Sequence, residues 1–493
     1  MVACGGGSSG SNISTGGGGG SVAPCDMPTG SSAAAQSAAP TTTDGVGQVG
    51  EQTFLDMHIG NPNYWPSVPI GSIRIWDTGT QWPLVETSDG VFSWSNLNGF
   101  VAAAQQNNAD MLFDLARVPT WASSDPTDSS CSYDLNGEGG PGQCDPPNDL
   151  NSDGSGTDAH WIAWVSALAT RNATTYNHQI KFYEIWNEWN IGLFWTGTPA
   201  QLVRLEQDAR CVVEGPPAGS SCNSNSTFPS GKGIDPGAKI VSPAPVGAGY
   251  PTSNLGNVAQ ELSIYFGSQA SGSNANGGQF ADIIGFHGYV GTKKGSGVCP
   301  IPENVNSVVD DLAGAVLSAG ESGKPWFNTE DGWSEAETEG FTDPDRQAAF
   351  LARYLTLQRS LGVERTYWYR WDSTNSYGGA LWTAPNGPIT EAGTAFGEMS
   401  NWLVGTTVSS ACTPNGTVWT CGFTRPGGYQ ALAVWDASGD CQSGTCPAAS
   451  TFTIPNKVQY TKQRDILGNE TSLSGTTIGI GAKPILLETE ALP

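Results

Sequence analysis

Positively charged residues are scarce in this sequence. Lysine and arginine total 21 against 46 acidic residues, and the formal net charge over 493 residues is −25. Such a charge argues against nucleic acid or an anionic membrane as the partner, and suits a neutral polymer better. The sequence contains no run of about eighteen or more apolar residues, so it predicts no membrane-spanning helix. Paired Cys-x-x-Cys motifs, typical of zinc sites, are also missing.

Cysteine occurs in an odd number, 11 residues in all. Several pairs lie close together in loop-like segments rich in Gly, Ser and Asp, which favours local disulfides and an oxidising compartment. These pairs are Cys131/Cys144, Cys211/Cys222, Cys412/Cys421 and Cys441/Cys446. Cys25 and Cys299 could pair with each other, but the sequence does not decide this.

The N-terminal segment is dominated by Gly, Ser, Ala and Thr. It cannot bury enough apolar surface to fold, so we predict a flexible tether over residues 1–45. Within it, Val2-Ala3-Cys4-Gly5 resembles the cleavage site of a bacterial lipoprotein. Cys4 would then carry lipid at the mature N-terminus, and the protein would be secreted or held at the cell surface. The alternative is an unpaired cysteine in a flexible tail.

Short apolar runs alternate with helical patterns along most of the chain. The predicted strands are 53–59, 71–77, 109–115, the run that begins at Lys181, 239–243, 282–287, 325–329 and 365–369. The predicted helices are 97–107, 159–170, 199–213, 305–318 and 345–361, with Asp158 and Asp343 as N-terminal caps of the second and the last. Eight strands in this alternation predict a (β/α)8 barrel over residues 46–403, enlarged by loops beyond the usual ~250 residues.

The C-terminal part of the chain has a different texture, with short strand-like runs, turns and no convincing helix. The predicted strands are 429–435, 451–454, 458–461, 476–480 and 483–488. We predict a small β-sandwich over residues 404–493. We interpret it as a packing module in preference to a carbohydrate-binding one.

Two of the predicted barrel strands end in a glutamate surrounded by tryptophan. The first is the run Lys181-Phe-Tyr-Glu-Ile-Trp-Asn-Glu188, and the second is Lys324-Pro-Trp-Phe-Asn-Thr-Glu330. A carboxylate at the end of a buried strand is costly unless it is hydrogen-bonded or used in chemistry. Both glutamates fall at carboxyl ends of strands, where barrel active sites are built.

A retaining glycoside hydrolase uses two facing carboxyl groups. One carboxyl protonates the leaving oxygen, the other attacks the anomeric carbon, and the two groups sit about 5–5.5 Å apart. Both cannot ionise freely at that distance, so we expect a raised pKa at the acid. Strands four and seven lie on opposite sides of a barrel, which would let Glu188 and Glu330 meet.

These runs also resemble a known group of enzymes. Tyr183-Glu-Ile-Trp-Asn-Glu188 is similar to the acid/base motif of clan A glycoside hydrolases, and Asn328-Thr-Glu330 is similar to the nucleophile strand of that clan. Ile191-Gly-Leu-Phe-Trp-Thr-Gly-Thr198 and Val118-Pro-Thr-Trp-Ala-Ser123 look closest to family 39 and its relatives. The resemblance spans roughly residues 53 to 400. Trp189 departs from it, because the clan often has proline there, which leaves the shape of the leaving-group side open.

The resemblance implies roles for individual residues. Glu188 would be the acid/base and Glu330 the nucleophile. Further binding residues would surround them: Asn187 on the sugar 2-hydroxyl, Arg74 beside the nucleophile, His287 and Tyr289 orienting the nucleophile or the sugar, and Trp371 under the ring. From the residues alone, Arg74 could instead be a structural partner of Glu184, and His287 a core histidine. Trp65, Trp82, Trp121, Trp195 and Trp333 could be sugar platforms or packing residues.

One loop has the alternating oxygen ligands of a calcium site, at Asp149, Asn151 and Asp153 followed by Gly154. The twelfth position is His160 in place of a bidentate acid, so an ordinary polar loop is the better interpretation. No cofactor is required by the predicted chemistry.

We therefore expect a retaining glycoside hydrolase that cleaves β-linked, xylan-like or glucan-like chains. One alternative is an exo-acting β-xylosidase, and whether long loops close the cleft into a pocket would decide between exo and endo action. Another alternative is a non-catalytic carbohydrate-binding protein of the cell surface, against which the presence of both glutamates counts.

Overall fold

The architecture was examined in a computed structural model. The structure describes residues 54–131, 139–222, 232–246, 258–290, 301–333, 343–373, 379–439, 450–456 and 458–489. The predicted tether and the cysteines at 4, 25, 299, 441 and 446 lie outside these residues. Within them, no helix is both long enough and apolar enough to cross a bilayer.

Eight parallel strands form the central sheet, as predicted. They are β1 Leu55–His58, β2 Ser72–Ile75, β3 Asp110–Leu115, β4 Ile180–Ile185, β5 Lys239–Val241, β6 Ile284–His287, β7 Trp326–Asp331 and β8 Arg365–Trp368. Their order is β5-β4-β3-β2-β1-β8-β7-β6. Single parallel bridges, Val241 to Ile283 and Val246 to His287, join the two outer strands. The sheet therefore closes into a (β/α)8 barrel.

Helices pack around the outside of this barrel. They are α1 Ser95–Gln106, α2 Ala159–Thr174, α3 Pro199–Val213, α4 Val258–Gly267, α5 Val305–Ala319, α6 Pro344–Ser360 and α7 Glu391–Leu403, with a single turn at Trp82–Val85. The five predicted helices are confirmed as α1, α2, α3, α5 and α6. The sequence analysis missed α4 and α7. The Asp343 side chain caps α6 by accepting from Arg346 N over 2.9 Å, as predicted.

The predicted cap of α2 is wrong. Asp158 has a left-handed backbone (φ 51°) and its side chain makes no capping bond. Asp149 performs this function from ten residues upstream, because its Oδ2 accepts from the backbone N of Ala159 over 2.5 Å. The same oxygen accepts from the Thr157 hydroxyl over 2.7 Å. The loop 149–158 is thus fastened to the helix that it precedes.

Alternate residues of each strand point into the barrel and form layers. At the amino-terminal end, Arg365 contacts Asp56 at 3.2 Å and Asp110 at 3.1 Å. An apolar belt follows, made of Leu112, Phe182, Val241, Ile283, Phe327 and Tyr367. Above it, at the carboxyl end, lies a second charged layer around Arg74. The barrel interior is a packed core with arginine at both ends.

Beyond α7 the structure is all β, with two short 3-10 turns. A six-stranded sheet has the order β9-β10-β11-β16-β13-β14, and β12 pairs with β15. These strands are β9 Thr407–Asn415, β10 Val418–Thr424, β11 Gln430–Asp436, β12 Ser450–Thr453, β13 Lys462–Asp465, β14 Glu470–Ser472, β15 Thr477–Ile480 and β16 Ile485–Glu488. This confirms the β-sandwich, but two details differ. The predicted strand 458–461 is wrong, since the strand begins at Lys462, and β9, β10 and β14 were not predicted as strands.

The sandwich is attached to the barrel by buried contacts. Trp435 Nε1 donates to Glu303 Oε1 over 2.8 Å, and Arg353 Nε on α6 lies 3.3 Å from the same oxygen. Cys412 N donates to Ser360 Oγ at the end of α6 over 2.7 Å. One apolar cluster runs continuously from the barrel helices into the sandwich. These contacts fit the packing role that the sequence analysis favoured, while carbohydrate binding by the sandwich stays untested.

Three predicted disulfides lie in the described residues and are formed: Cys131–Cys144, Cys211–Cys222 and Cys412–Cys421.

Candidate active site

The carboxyl ends of β4 and β7 bring Glu188 and Glu330 together. One carboxylate oxygen of each, and one ring nitrogen of His287, all lie within 4.8 Å of one another. Both glutamates are almost completely buried, with 9% and 8% of their surfaces exposed. The carboxyls of retaining glycosidases are about 5–5.5 Å apart, whereas those of inverting enzymes are about 6.5–9.5 Å apart. A contact of this order is closer to the retaining than to the inverting arrangement.

The backbone that carries Glu188 is unusual. Trp186 and Glu188 both have left-handed backbone angles, with φ values of 68° and 41°. Bulky side chains rarely adopt this conformation, and it persists where the surroundings hold it in place, often at functional sites. Here Trp186 Nε1 donates to Phe194 O over 2.9 Å, and Ile191 N donates to Glu188 O over 2.9 Å. The chain turns sharply after β4 and points Glu188 across the barrel mouth.

Arg74 on β2 contacts three carboxyl groups and one amide at the carboxyl end of the barrel. Its Nη1 donates to Glu330 Oε2 over 2.7 Å, and its Nε donates to Glu184 Oε2 over 2.7 Å. Its Nη2 donates to Asp114 Oδ2 and to Asn187 Oδ1, both over 2.8 Å. The sequence analysis posed a role beside the nucleophile and a partnership with Glu184 as alternatives, and the structure shows that Arg74 makes both contacts.

Glu188 lies in surroundings that favour its protonated form. Burial raises the pKa of Glu188 to about 7; the positive charge of Arg74 opposes this shift, and the negative charge of Glu184 adds to it. A carboxyl with this pKa still holds its proton in mildly acidic solution and can release it near neutrality. This is the behaviour expected of a general acid that must later act as a base.

His287 and Tyr289, after β6, contact one glutamate each. His287 Nδ1 lies 2.8 Å from Glu188 Oε1, and the Tyr289 hydroxyl donates to Glu330 Oε1 over 2.8 Å. Burial lowers the pKa of His287 to about 4, so the imidazole is neutral above about that pH. His287 therefore meets the predicted acid, while Tyr289 meets the predicted nucleophile.

The two tryptophans predicted to bind sugar lie in different surroundings. Trp371, after β8, stacks on Trp382 with ring centroids 6.2 Å apart, and its backbone N donates to His58 O over 2.9 Å. Trp333 packs edge-on against Phe350 and Trp368, with centroids 6.3 and 5.0 Å away. Both rings are buried. Their sugar-binding roles remain predictions.

The predicted calcium loop is occupied by internal hydrogen bonds. Asn151 Nδ2 donates to Ser155 Oγ over 3.0 Å, and Ser155 N donates to Asp153 Oδ1 over 2.9 Å. Asp149 has the capping role described above. The ordinary polar loop was the favoured interpretation, and calcium binding at Asp149, Asn151 and Asp153 stays an untested alternative.

Two groups of side chains in the described part of the chain are spaced closely enough to ligate a metal ion. One is Glu188, His287 and Glu330, and the other is Asp128, Cys131, Cys144 and Asp145. In the second group both sulfurs are used by the disulfide, and a disulfide is a poor ligand. In the first group the guanidinium of Arg74 already neutralises Glu330. Neither set favours a resident cation.

The sequence analysis missed Asp114, which contacts Arg74 from β3. Burial raises the pKa of Asp114 well above its usual range, against the opposing charge of Arg74. Strand alternation was a signal that could have found it. Asp110, Leu112 and Asp114 share one face of β3, and Leu112 belongs to the interior belt.

A second missed group lies at the ends of β1, β2 and β8. His58 Nε2 lies 2.9 Å from Asp77 Oδ1, and the Tyr369 hydroxyl donates to Asp77 Oδ2 over 2.7 Å. All three side chains are buried. No motif in the sequence marked these residues, because each is a single polar residue at a strand end.

No protein-family model matches the sequence, and no curated protein sequence matches it. Solved structures do. A family 39 glycoside hydrolase from the gut symbiont Bacteroides cellulosilyticus WH2 is similar over 88% of this chain and 80% of its own, with a TM-score of 0.57 and 16% identity. A family 39 β-xylosidase from Caulobacter crescentus is similar over 91% of this chain and 98% of its own (TM-score 0.54, 14% identity).

A family 30 endoxylanase from Clostridium papyrosolvens C71 is similar over 90% of this chain and 98% of its own, with a TM-score of 0.52 and 11% identity. At these identities the likeness establishes a shared fold. The fold predicted from the sequence, a barrel followed by a β-sandwich, is thereby confirmed.

Proposed function

We propose that this protein is a retaining glycoside hydrolase in which Glu188 is the acid/base and Glu330 the nucleophile. The observation that carries the proposal is the pair of buried carboxyls that face each other within 4.8 Å, together with His287. Their surroundings differ in the way that the two roles require. Glu330 receives hydrogen bonds from Arg74 and Tyr289, which stabilise a carboxylate, whereas burial keeps Glu188 protonated.

The first step forms a covalent intermediate. A carboxylate oxygen of Glu330 attacks the anomeric carbon, the glycosidic C–O bond breaks, and Glu188 transfers its proton to the departing oxygen. Glu188 is then a carboxylate and Glu330 an ester. In the second step Glu188 takes a proton from water, the hydroxide oxygen bonds to the anomeric carbon, and Glu330 is released. Both residues return to their starting protonation states.

Asn187 is set up to contact the sugar during these steps. Its Oδ1 accepts from Arg74 Nη2 over 2.8 Å, which fixes the orientation of the amide. The Nδ2 group is therefore directed away from Arg74 and can donate to the 2-hydroxyl of the sugar. Hydrogen bonds to that hydroxyl strengthen as the transition state forms.

Neutral, β-linked polymers of the xylan or glucan type are the proposed substrates. The net charge of −25 disfavours acidic polymers. Among the structures with the same fold, one is named a β-xylosidase and another an endoxylanase. An exo-acting β-xylosidase is the alternative, and it would hydrolyse a short aryl β-xyloside but leave xylan intact.

The experiment is a panel of xylan, β-glucan and aryl β-glycosides assayed with the wild type, Glu188→Gln and Glu330→Gln. We expect turnover by the wild type and a loss of about a thousandfold or more in either variant. Glu470→Gln in the sandwich, where Glu470 pairs with Lys462 at the surface, is the matched control and should keep full activity.

The anomer released first, observed by NMR before mutarotation, tests the stereochemistry. The β-anomer is expected, and release of the α-anomer would disprove retention. Binding of a polysaccharide without turnover by the wild type would favour the non-catalytic carbohydrate-binding alternative.

We also propose that the protein is exported and anchored through a lipid on Cys4. Three disulfides in the described residues are consistent with an oxidising compartment. Expression behind a bacterial lipoprotein signal tests this: mass spectrometry should find a diacylglyceryl adduct on Cys4, and Cys4→Ser should shift the protein from the membrane to the soluble fraction.

A further inference from the structure

Gly288, the residue before Tyr289, joins the end of β6 to β7, the strand that carries Glu330. Gly288 N donates to Asn328 Oδ1 over 2.8 Å and lies 3.1 Å from Glu330 O. On the other side of the same residue, the Tyr354 hydroxyl donates to Gly288 O over 2.6 Å. Both polar groups of the Gly288 backbone are thus held by buried side chains.

Asn328 connects these contacts to the wall of the barrel. Its Nδ2 group lies 3.0 Å from the Tyr354 hydroxyl, 2.9 Å from Gln358 Oε1 and 2.8 Å from Asp331 Oδ2. Asn328, Tyr354 and Gln358 are all fully buried. The network therefore joins the end of β6 to β7 and to α6. It lies beside the contact between Tyr289 and Glu330.

The fit around Gly288 leaves no room for a side chain. A Cβ at this position would lie 2.4 Å from Asn328 Nδ2 and 2.5 Å from the Tyr354 hydroxyl. Contacts this short cannot be accommodated without moving one of the partners. Asn328 and Tyr354 can approach the backbone of Gly288 this closely only because glycine has no side chain.

We propose that Asn328 and Tyr354 are positioning residues that hold the Tyr289 hydroxyl against Glu330, and this inference rests on the proposed function. Within the described part of the chain, neither side chain contacts the carboxylate oxygens of Glu330. Both therefore act through the backbone of Gly288, which precedes Tyr289. Displacing a catalytic hydrogen bond by about 1 Å can cost a hundredfold in rate. The network protects the 2.8 Å bond between Tyr289 and Glu330 from such displacement.

The experiment is a double-mutant cycle in the full chain, with Tyr289→Phe, Tyr354→Phe and the combined variant assayed on an aryl β-glycoside. Tyr289→Phe is expected to lower kcat/KM about 10- to 100-fold, as for the loss of a hydrogen bond to a charged group. Tyr354→Phe should lower kcat about tenfold with little change in KM.

The combined variant decides the inference. If Tyr354 acts through Tyr289, it should be no slower than Tyr289→Phe alone, because there is no hydroxyl left to position. Multiplying losses, or an unchanged kcat in Tyr354→Phe, would overturn the inference while leaving the proposed function intact. No turnover by the wild type would overturn both.

Tyr176→Phe is the matched control, because the Tyr176 hydroxyl also has one donor and one acceptor contact. It donates to Asn98 Oδ1 over 2.8 Å and accepts from Arg171 Nε over 2.7 Å, outside the candidate active site. This variant should lose stability without changing kcat. If Tyr354→Phe does not fold, Asn328→Ser removes the bond to Gly288 N and should give the same loss of kcat with little change in KM.

Discussion

Arg74 Nη1 and Glu330 Oε2 lie 2.7 Å apart, while the same guanidinium contacts Glu184 and Asp114. One positive charge thus faces three carboxyls inside the barrel. Burial raises the pKa of Asp114 despite this charge, and Arg74 contacts both a structural carboxyl, Glu184, and one proposed to be catalytic, Glu330.

Removing Arg74 should therefore affect folding as well as turnover. Arg74→Met leaves Glu184 buried without its partner, and we expect the free energy of unfolding to fall by about 3–5 kcal/mol. Chemical denaturation measures this. Arg171→Met, which removes a guanidinium stacked on Trp94 and Tyr176, is the control and should cost about 1 kcal/mol. If Arg74→Met is as stable as the wild type, burial of the Glu184 carboxyl does not depend on the charge of Arg74.

The activity should fall as the pH rises through about 7, where Glu188 loses its proton. Below this pH the acid is protonated and can assist the leaving group, whereas above it the carboxylate cannot. The kcat/KM of the wild type between pH 4 and 9 should show this basic limb. Glu188→Ala, assayed on a substrate whose leaving group needs no protonation, should lack the limb. Persistence of the limb in that variant would assign it to another residue.

The hydrogen bond between Trp435 and Glu303 should stabilise the barrel and the sandwich together. Trp435→Phe removes one of the donors to the buried Glu303 carboxyl, and we expect a cost of about 1–3 kcal/mol beyond the loss of ring area. Trp419 stacks on Trp435 with centroids 5.9 Å apart, and its Nε1 has no partner among the described residues. Trp419→Phe is therefore the matched control in thermal melting, and equal losses in the two variants would contradict the prediction.

Glu206 on α3 should make the fold less stable at higher pH. Burial raises its pKa to about 8, against the opposing charge of Lys324. Its pKa in the unfolded chain is about 4.3, so its contribution to stability is complete below that pH and is lost as the pH rises toward 8. The Tm of Glu206→Gln minus that of the wild type should increase from pH 4 to pH 8. Parallel melting curves across this range would refute the assignment.

The sequence predicted the barrel well because its strands are short apolar runs between recognisable helices. It predicted Glu188 and Glu330 because a carboxylate at the end of such a run is costly without a purpose. The structure brings these two residues together with Arg74, Asn187, His287 and Tyr289. Their catalytic roles stay predictions until variants are assayed.

What the sequence did not predict depends on contacts between distant segments. β9 reads Thr-Val-Ser-Ser-Ala-Cys-Thr-Pro-Asn and is mostly exposed or half-buried, so it has no apolar alternation to detect. The cap of α2 comes from Asp149 because the intervening loop folds back, whereas Asp158 merely stands at the expected position. Gly288 and Asn328 are separated by 40 residues, and only the barrel places them in contact.

The two arginine layers of the barrel also specify which way each strand faces. If β3 paired one residue out of step with β2, Asp110 and Asp114 would turn outward toward the helices, and Leu112 would leave the belt. Arg74 would then lose its contact with Asp114, and Arg365 would lose its contact with Asp110. The charged layers at both ends of the interior thus favour the observed alignment of β3 over one shifted by a single residue.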